Sequence, residues 1–158
     1  MNEYKHLEHT FGPVYDSESR ILILGSFPSV KSREVNFYYG YRQNRFWKLM
    51  SLLFNEEIED KKAFLLKHHI ALFDVIESCD IKGSSDTSIR NVKANDLSVI
   101  LDKSKIEIIY LNGSKAYELY NKYCKDKYDI EAIKLPSTSP ANASCSLNDL
   151  YNEWKIIL

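Results

Sequence analysis

Four short apolar runs, each leading into small polar residues, constrain this chain more than any other feature. Ile21 to Leu24 runs into Gly25-Ser26-Phe27-Pro28-Ser29, and Glu131 to Leu135 into Pro136-Ser137-Thr138-Ser139-Pro140-Ala141-Asn142. Between them, Ile70 to Ile76 is followed by the polar cluster from Gly83 to Ser88, and Ile106 to Leu111 by Asn112-Gly113-Ser114. Short runs rich in Ile and Leu, separated by segments long enough for crossover helices, are the pattern of a buried parallel sheet. Phe46, Trp47, Met50, Leu53 and Phe54 recur at helical spacing after the first run, and Ala116, Leu119, Tyr120 and Tyr123 after the third, which places helices on the sheet faces. Asn95 is positioned to cap a short helix bearing Leu97, Ile100 and Leu101. Ser146 with Asp149 three residues on resembles a capping box, opening a last helix that buries Leu147, Leu150, Tyr151, Trp154 and Ile157. The fold class is therefore α/β, and in such sheets the loops at the carboxyl ends of the strands line the ligand crevice. Loops of small, hydroxyl-bearing and Pro residues bring backbone amides close to a ligand.

A chain of 158 residues fits one domain over 1–158 that buries roughly two thirds of its unfolded surface. The formal net charge of −1 argues against a polycation, but charge is unevenly spread. Lys31, Arg33, Arg42, Arg45 and Lys48 face only Glu34 between residues 29 and 48, a cluster suited either to phosphates or to a solvated surface. Cys79, Cys124 and Cys145 are far apart and form no C-x-x-C, so a reduced compartment is expected, with no disulfide framework and no zinc or iron–sulfur site. Met1 to His6 contains no apolar signal segment, and no run approaches the ~18 apolar residues of a membrane span. A cytoplasmic monomer with no membrane partner is expected.

The loops exclude several chemistries. G-K-[ST] and G-x-G-x-x-G are absent, which disfavours nucleotide cofactors. G-x-S-x-G is absent too, and no His lies in the loops to activate Ser26, Ser137 or Ser139; His68 and His69 precede a strand and are expected at a surface or helix end. The loops offer hydroxyls and amides rather than convergent His, Asp or Glu, so no metal is expected. A pocket for a neutral polar ligand remains, with Phe27, Phe37, Tyr38, Tyr39 and Tyr41 close in sequence. Aromatic walls, amide readers and a basic flank are what an extruded nucleobase needs.

At these residues the chain resembles the uracil-DNA glycosylase superfamily, and within it the hypoxanthine-DNA (deoxyinosine) glycosylase branch. The resemblance rests on Gly25 to Arg33, on Phe37-Tyr38-Tyr39-Gly40 leading to Gln43-Asn44-Arg45-Phe46-Trp47, on Gly83-Ser84-Ser85-Asp86, on Asn112-Gly113, and on Leu135 to Ala143. It implies a three-layer α/β/α sandwich on a four-stranded parallel sheet, damaged DNA as partner, and no cofactor. It implies that Gly25, Ser26, Phe27, Pro28 and Ser29 form the water-activating motif and that the Pro136 loop is the minor-groove, leaving-base motif. Phe27 stands where mismatch-type relatives carry a water-positioning Asn, and the resemblance transfers that role to Asn44.

The implied reaction is hydrolysis of the N-glycosidic bond of a deaminated base, with no lysine placed for a Schiff base. Asn44, Asp74 and Ser139 are the catalytic candidates. Phe37, Tyr38, Tyr39, Asn112, Pro136, Ser137, Thr138, Pro140, Ala141 and Asn142 are candidates for the base pocket, and Lys31, Arg33 and Arg45 for the DNA backbone. On the residues alone, Asn44 is first a helix N-cap, and Asp74 is equally a strand-end turn residue. A uracil enzyme and a non-catalytic binder of nucleic acid or nucleotide stay open.

Overall fold

The computed structural model describes residues 3–158, so Met1 and Asn2 of the N-terminal stretch lie outside the described residues. The chain runs β1 (Lys5–Glu8), β2 (Ile21–Gly25), α1 (Val30–Val35), α2 (Phe46–Phe54), α3 (Lys61–Lys67), β3 (Ile70–Asp74) and β4 (Ile76–Ile81). It continues through β5 (Arg90–Ala94), α4 (Ser98–Asp102), β6 (Ile108–Asn112), α5 (Ser114–Tyr123), β7 (Glu131–Leu135) and α6 (Leu147–Trp154). Strands β3, β2, β6 and β7, in that order, form a parallel sheet. From β2 the chain crosses to β3 on one side and later enters β6 on the other, so the order reverses between β2 and β6. Right-handed crossovers then put the helices before β3 and the helix before β7 on opposite faces. The sheet is the middle layer of three, and its switch point opens the crevice where open α/β sheets bind ligands.

Burial explains the pairing. Leu22, Ile23 and Leu24 at the sheet centre are fully buried, as are Ala71, Leu72, Ile109 and Leu111 on neighbouring strands. At the β3 edge, Val14 exchanges both backbone hydrogen bonds with Leu72, at 3.0 and 2.9 Å, which covers one exposed strand edge. At the other edge β7 carries exposed Glu131 and Lys134, charges that discourage further pairing. Helix α6 packs its buried Trp154 edge-on to Phe46 of α2, ring centroids 6.0 Å apart, and Ser146 with Asp149 forms the expected capping box.

Two expectations change. The apolar run from Ile70 to Ile76 is two strands: β3 ends at Asp74, and after Val75 the chain enters β4, which pairs antiparallel with β1 and β5 in a small second sheet. Val75 and Ile76 donate backbone hydrogen bonds to Gly25 and Ser26, so the end of β2 fixes this break. The short helix near Leu97 is capped by Asp96, whose Oδ1 accepts from Ser98 N at 3.0 Å; Asn95 instead donates to the Asp74 carbonyl at 2.9 Å. Helices α1 and α3 begin at Ser29 and Asp60, each accepting from a backbone N–H three residues on.

Candidate active site

Three strand ends of the parallel sheet bring Gly25, Asp74 and Asn112 to one cavity, closed by the loop after the fourth strand, Ser137 to Ala141. Its volume, about 570 Å³, is that of a small-molecule site. Gly25 is required at the wall because a Cβ there would stand 2.6 Å from Asp74 Oδ1. Gly113, at φ +99°, lets the Pro136 loop approach: a Cβ there would meet Ser137 Cβ at 2.9 Å.

Thr138, fully buried, ties the site together. Its N–H donates to Asn112 Oδ1 at 3.0 Å, and its hydroxyl accepts from Asn112 Nδ2 at 3.1 Å. The same hydroxyl donates to Asn44 Oδ1 at 2.8 Å. Asn44 Oδ1 also accepts from Phe46 N at 3.0 Å, capping α2, whose formal cap residue Arg45 makes no side-chain cap bond. Two donors fill the lone pairs of Asn44 Oδ1, which fixes the amide orientation and leaves Nδ2 without a partner among the described residues. Capping and facing the cavity are thus two functions of one side chain.

Arg45 lies outside the cavity lining. Its guanidinium donates to the carbonyls of Cys145, Ser139 (3.0 Å) and Asn142 (3.1 Å), bracing the Pro136 loop. Arg33 lies 5.6 Å over the Phe27 ring and reaches the carbonyls of Pro28 and Gly83, each at 3.4 Å; burial lowers its pKa. Lys31 is exposed at the rim, 3.4 Å from Glu34. Arg42 and Lys48 are exposed and make no ion pair among the described residues.

The remaining candidates divide. Ser26, Phe27, Pro28, Ser29, Tyr38, Tyr39, Ser139 and Pro140 line the cavity. Pro136 and Asn142 line a neighbouring groove behind the loop, where Asn142 Nδ2 holds the Ser137 carbonyl at 3.1 Å. Phe37 lies outside both, stacked on Trp47 with centroids 6.0 Å apart. Tyr38 is almost wholly buried and donates to the Gly12 carbonyl at 2.9 Å. Tyr39, stacked on Phe46 at 4.1 Å, has φ +54°, a conformation that costs a bulky L-residue about 1–3 kcal/mol. Its hydroxyl is buried without a hydrogen-bond partner, and burial together with the Asp74 carboxylate pushes the phenol far above its usual range.

Two groups escaped the sequence reading. Asp86 lines the cavity and accepts from Ser26 Oγ at 3.1 Å; burial by the crowded wall and then the Asp74 carboxylate raise its pKa, opposed by that serine and Lys115. His9 reaches Asp74 from the segment after β1, Nε2 to Oδ2 at 2.9 Å. Asp86 was marked by its Gly83-Ser84-Ser85 context. For His9, remote from every loop motif, the chain offers no local signal. Among the described residues no group of three or more His, Cys, Asp or Glu converges to hold a metal ion, and no helix is long and apolar enough to cross a membrane.

Fold and crevice define an open α/β protein whose site is built from strand-end loops. The family profile of the uracil DNA glycosylase superfamily matches residues 13–155. A hypoxanthine DNA glycosylase of Methanosarcina acetivorans is 36% identical over 157 residues, 96% of this chain and 98% of the relative. One of Methanosarcina barkeri is 32% identical over 114 residues, 68% of this chain and 72% of its own. An NMR structure of a Methanosarcina acetivorans protein assigned to the uracil DNA glycosylases superposes with a TM-score of 0.76 at 32% identity, covering 93% of this chain and 96% of its own. The chain belongs to the uracil DNA glycosylase superfamily.

Proposed function

We propose that this protein is a monofunctional DNA glycosylase that hydrolyses the N-glycosidic bond of deaminated bases, hypoxanthine first among them. The relatives that carry this activity in their names match over most of the chain, and one observation carries the reading to this site: Asn44, locked through Oδ1 by Thr138 and Phe46, turns an open Nδ2 toward the cavity. A water whose oxygen accepts from Nδ2 keeps a second lone pair for the sugar C1′. As the C1′–N9 bond breaks, its electron pair leaves on the base, which then takes a proton; the water oxygen becomes the C1′ hydroxyl of an abasic site and gives its proton to solvent. The sugar passes through a cation-like state, so a placed water suffices where a strong base is absent. In the Ser137–Ala141 loop the amides of Thr138, Ser139 and Ala141 are taken by Asn112, Ser137 and Ser139, which leaves the Ser137 and Ser139 hydroxyls as the donors for charge on the departing base.

Among the described residues the only lysine lining the cavity is Lys31, exposed at the rim and beside Glu34, which fits hydrolysis without lyase activity. Duplexes with a single deoxyinosine, deoxyuridine or deoxyxanthosine, treated with enzyme and then alkali, test the assignment. Strand breaks at deoxyinosine are expected only after alkali and are expected to persist in chelator. Breaks before alkali would exclude the monofunctional reading, loss of activity in chelator would reveal a metal requirement, and binding without breaks would make the protein a non-catalytic reader.

A further inference from the structure

His9 and Asp74 form a buried pair that the proposed hydrolysis leaves unused. Their side chains are 4% and 5% exposed, and the imidazole sits among Phe11, Phe73, Tyr38 and Phe27 at centroid distances of 4.8 to 6.2 Å. A carboxylate offers only acceptors, so His9 Nε2 donates to Asp74 Oδ2. His9 is itself fixed by the small sheet, its backbone N–H donating to the Glu77 carbonyl at 2.7 Å. Asp74 lines the cavity, and its second oxygen, Oδ1, accepts no hydrogen bond among the described residues. Oδ1 abuts Gly25, and the unpartnered Tyr39 hydroxyl flanks the same point, 2.6 and 3.3 Å from where a Cβ of residue 25 would stand. The wall therefore carries a free acceptor, with the buried Tyr39 phenol packed beside it.

Deamination changes one edge of a base in one way. The ring nitrogen, an acceptor in adenine and cytosine, becomes an N–H donor, and the neighbouring amino donor becomes a carbonyl acceptor. The wall is complementary to the deaminated edge and mismatched to the original one. Resting on the glycosylase reading above, we propose that His9 is a positioning residue for base selection: by holding Asp74 Oδ2 it directs Oδ1 to accept the ring N–H of a flipped lactam base, and so rejects adenine. Guanine carries the same N–H, so this bond sets the preference over adenine and not over guanine. A site built around such a bond discriminates strongly, because the wrong base leaves buried polar atoms facing like atoms.

Single-turnover base release from duplexes carrying deoxyinosine or deoxyadenosine at one position tests this, with thermal unfolding recorded for each variant. In His9→Leu, where Asp74 is free to turn or to take a proton and become a donor, hypoxanthine release is expected to fall about 100-fold and the preference over adenine at least about 10-fold. His9→Gln, whose side-chain amide can still donate to Asp74, is expected to recover most of that preference. Asp74→Asn, which can offer an N–H to adenine, is expected to release adenine above background. Unchanged preference in a folded His9→Leu would overturn the proposal, and if His9→Leu does not fold, unchanged preference in Asp74→Asn would do so alone. No release of hypoxanthine by the wild-type protein would instead overturn the glycosylase reading itself.

Discussion

Asn44 joins the start of a helix to the centre of the site, so its removal has two measurable costs. Asn44→Ala takes away the acceptor of the Phe46 N–H and is expected to lower stability by about 1 kcal/mol, the usual cost of a lost cap. It also takes away the Nδ2 donor facing the cavity, for which a rate loss of about 100- to 1000-fold is expected. Thermal unfolding beside single-turnover release of hypoxanthine reads the two effects separately. Near-normal turnover would leave Asn44 as a cap alone and move attention to Asp74 and Ser139. That Asn44 opens a helix was legible in Asn44-Arg45-Phe46-Trp47, and that it faces a site came from the resemblance of the same residues. Thr138 as the residue that locks it was not legible, because a hydroxyl 94 positions away announces its partner only after the sheet has brought the two loops together.

Among elements, the parallel sheet was written plainly in its apolar runs, since strands buried on both faces need continuous Ile and Leu. The small antiparallel sheet was hidden: Lys5-His6-Leu7-Glu8 and Arg90 to Ala94 are largely exposed, and exposed strands carry no apolar run to betray them. The break at Val75 was hidden for the opposite reason, because Ile70 to Ile76 is apolar but for Asp74 while the backbone turns as Val75 and Ile76 donate to the Gly25 and Ser26 carbonyls. At Arg45, a candidate for the DNA backbone, the guanidinium is engaged by three carbonyls of the Pro136 loop. Arg45→Met keeps the stem and drops the fork; since hydrogen bonds to charged groups are each worth about 1.5–3 kcal/mol, a loss of at least about 2 kcal/mol of stability is expected in denaturant unfolding. Arg45→Lys is expected to restore little, because a point charge cannot span three carbonyls. A variant as stable as wild type would show that the loop holds itself.

For the molecule as a whole, the basic segment separates into struts and free charges. Arg33 and Arg45 are occupied by carbonyls, whereas Lys31, Arg42 and Lys48 stand exposed. Replacing Arg42 and Lys48 together by Ala is expected to weaken binding to damaged and undamaged duplex alike. The slope of log K against log salt is expected to shrink by up to about 2, near one for each phosphate that is no longer neutralised. An unchanged slope would put the DNA on another face, with the groove behind the Pro136 loop, which carries Lys115 and Lys134, as the next surface to test.

The oxygen that Phe46 and Thr138 share also sets a clock. Opening the Pro136 loop far enough to free Thr138 breaks its bond to Asn44, and withdrawing Asn44 in turn exposes the first amide of α2. The backbone amides of Phe46 and Thr138, on segments far apart in sequence, are then released by one event rather than two. Hydrogen–deuterium exchange is expected to find them exchanging at matched rates that slow together when DNA containing an abasic product is bound, whereas independent rates would mean that the loop can breathe while the helix stays capped.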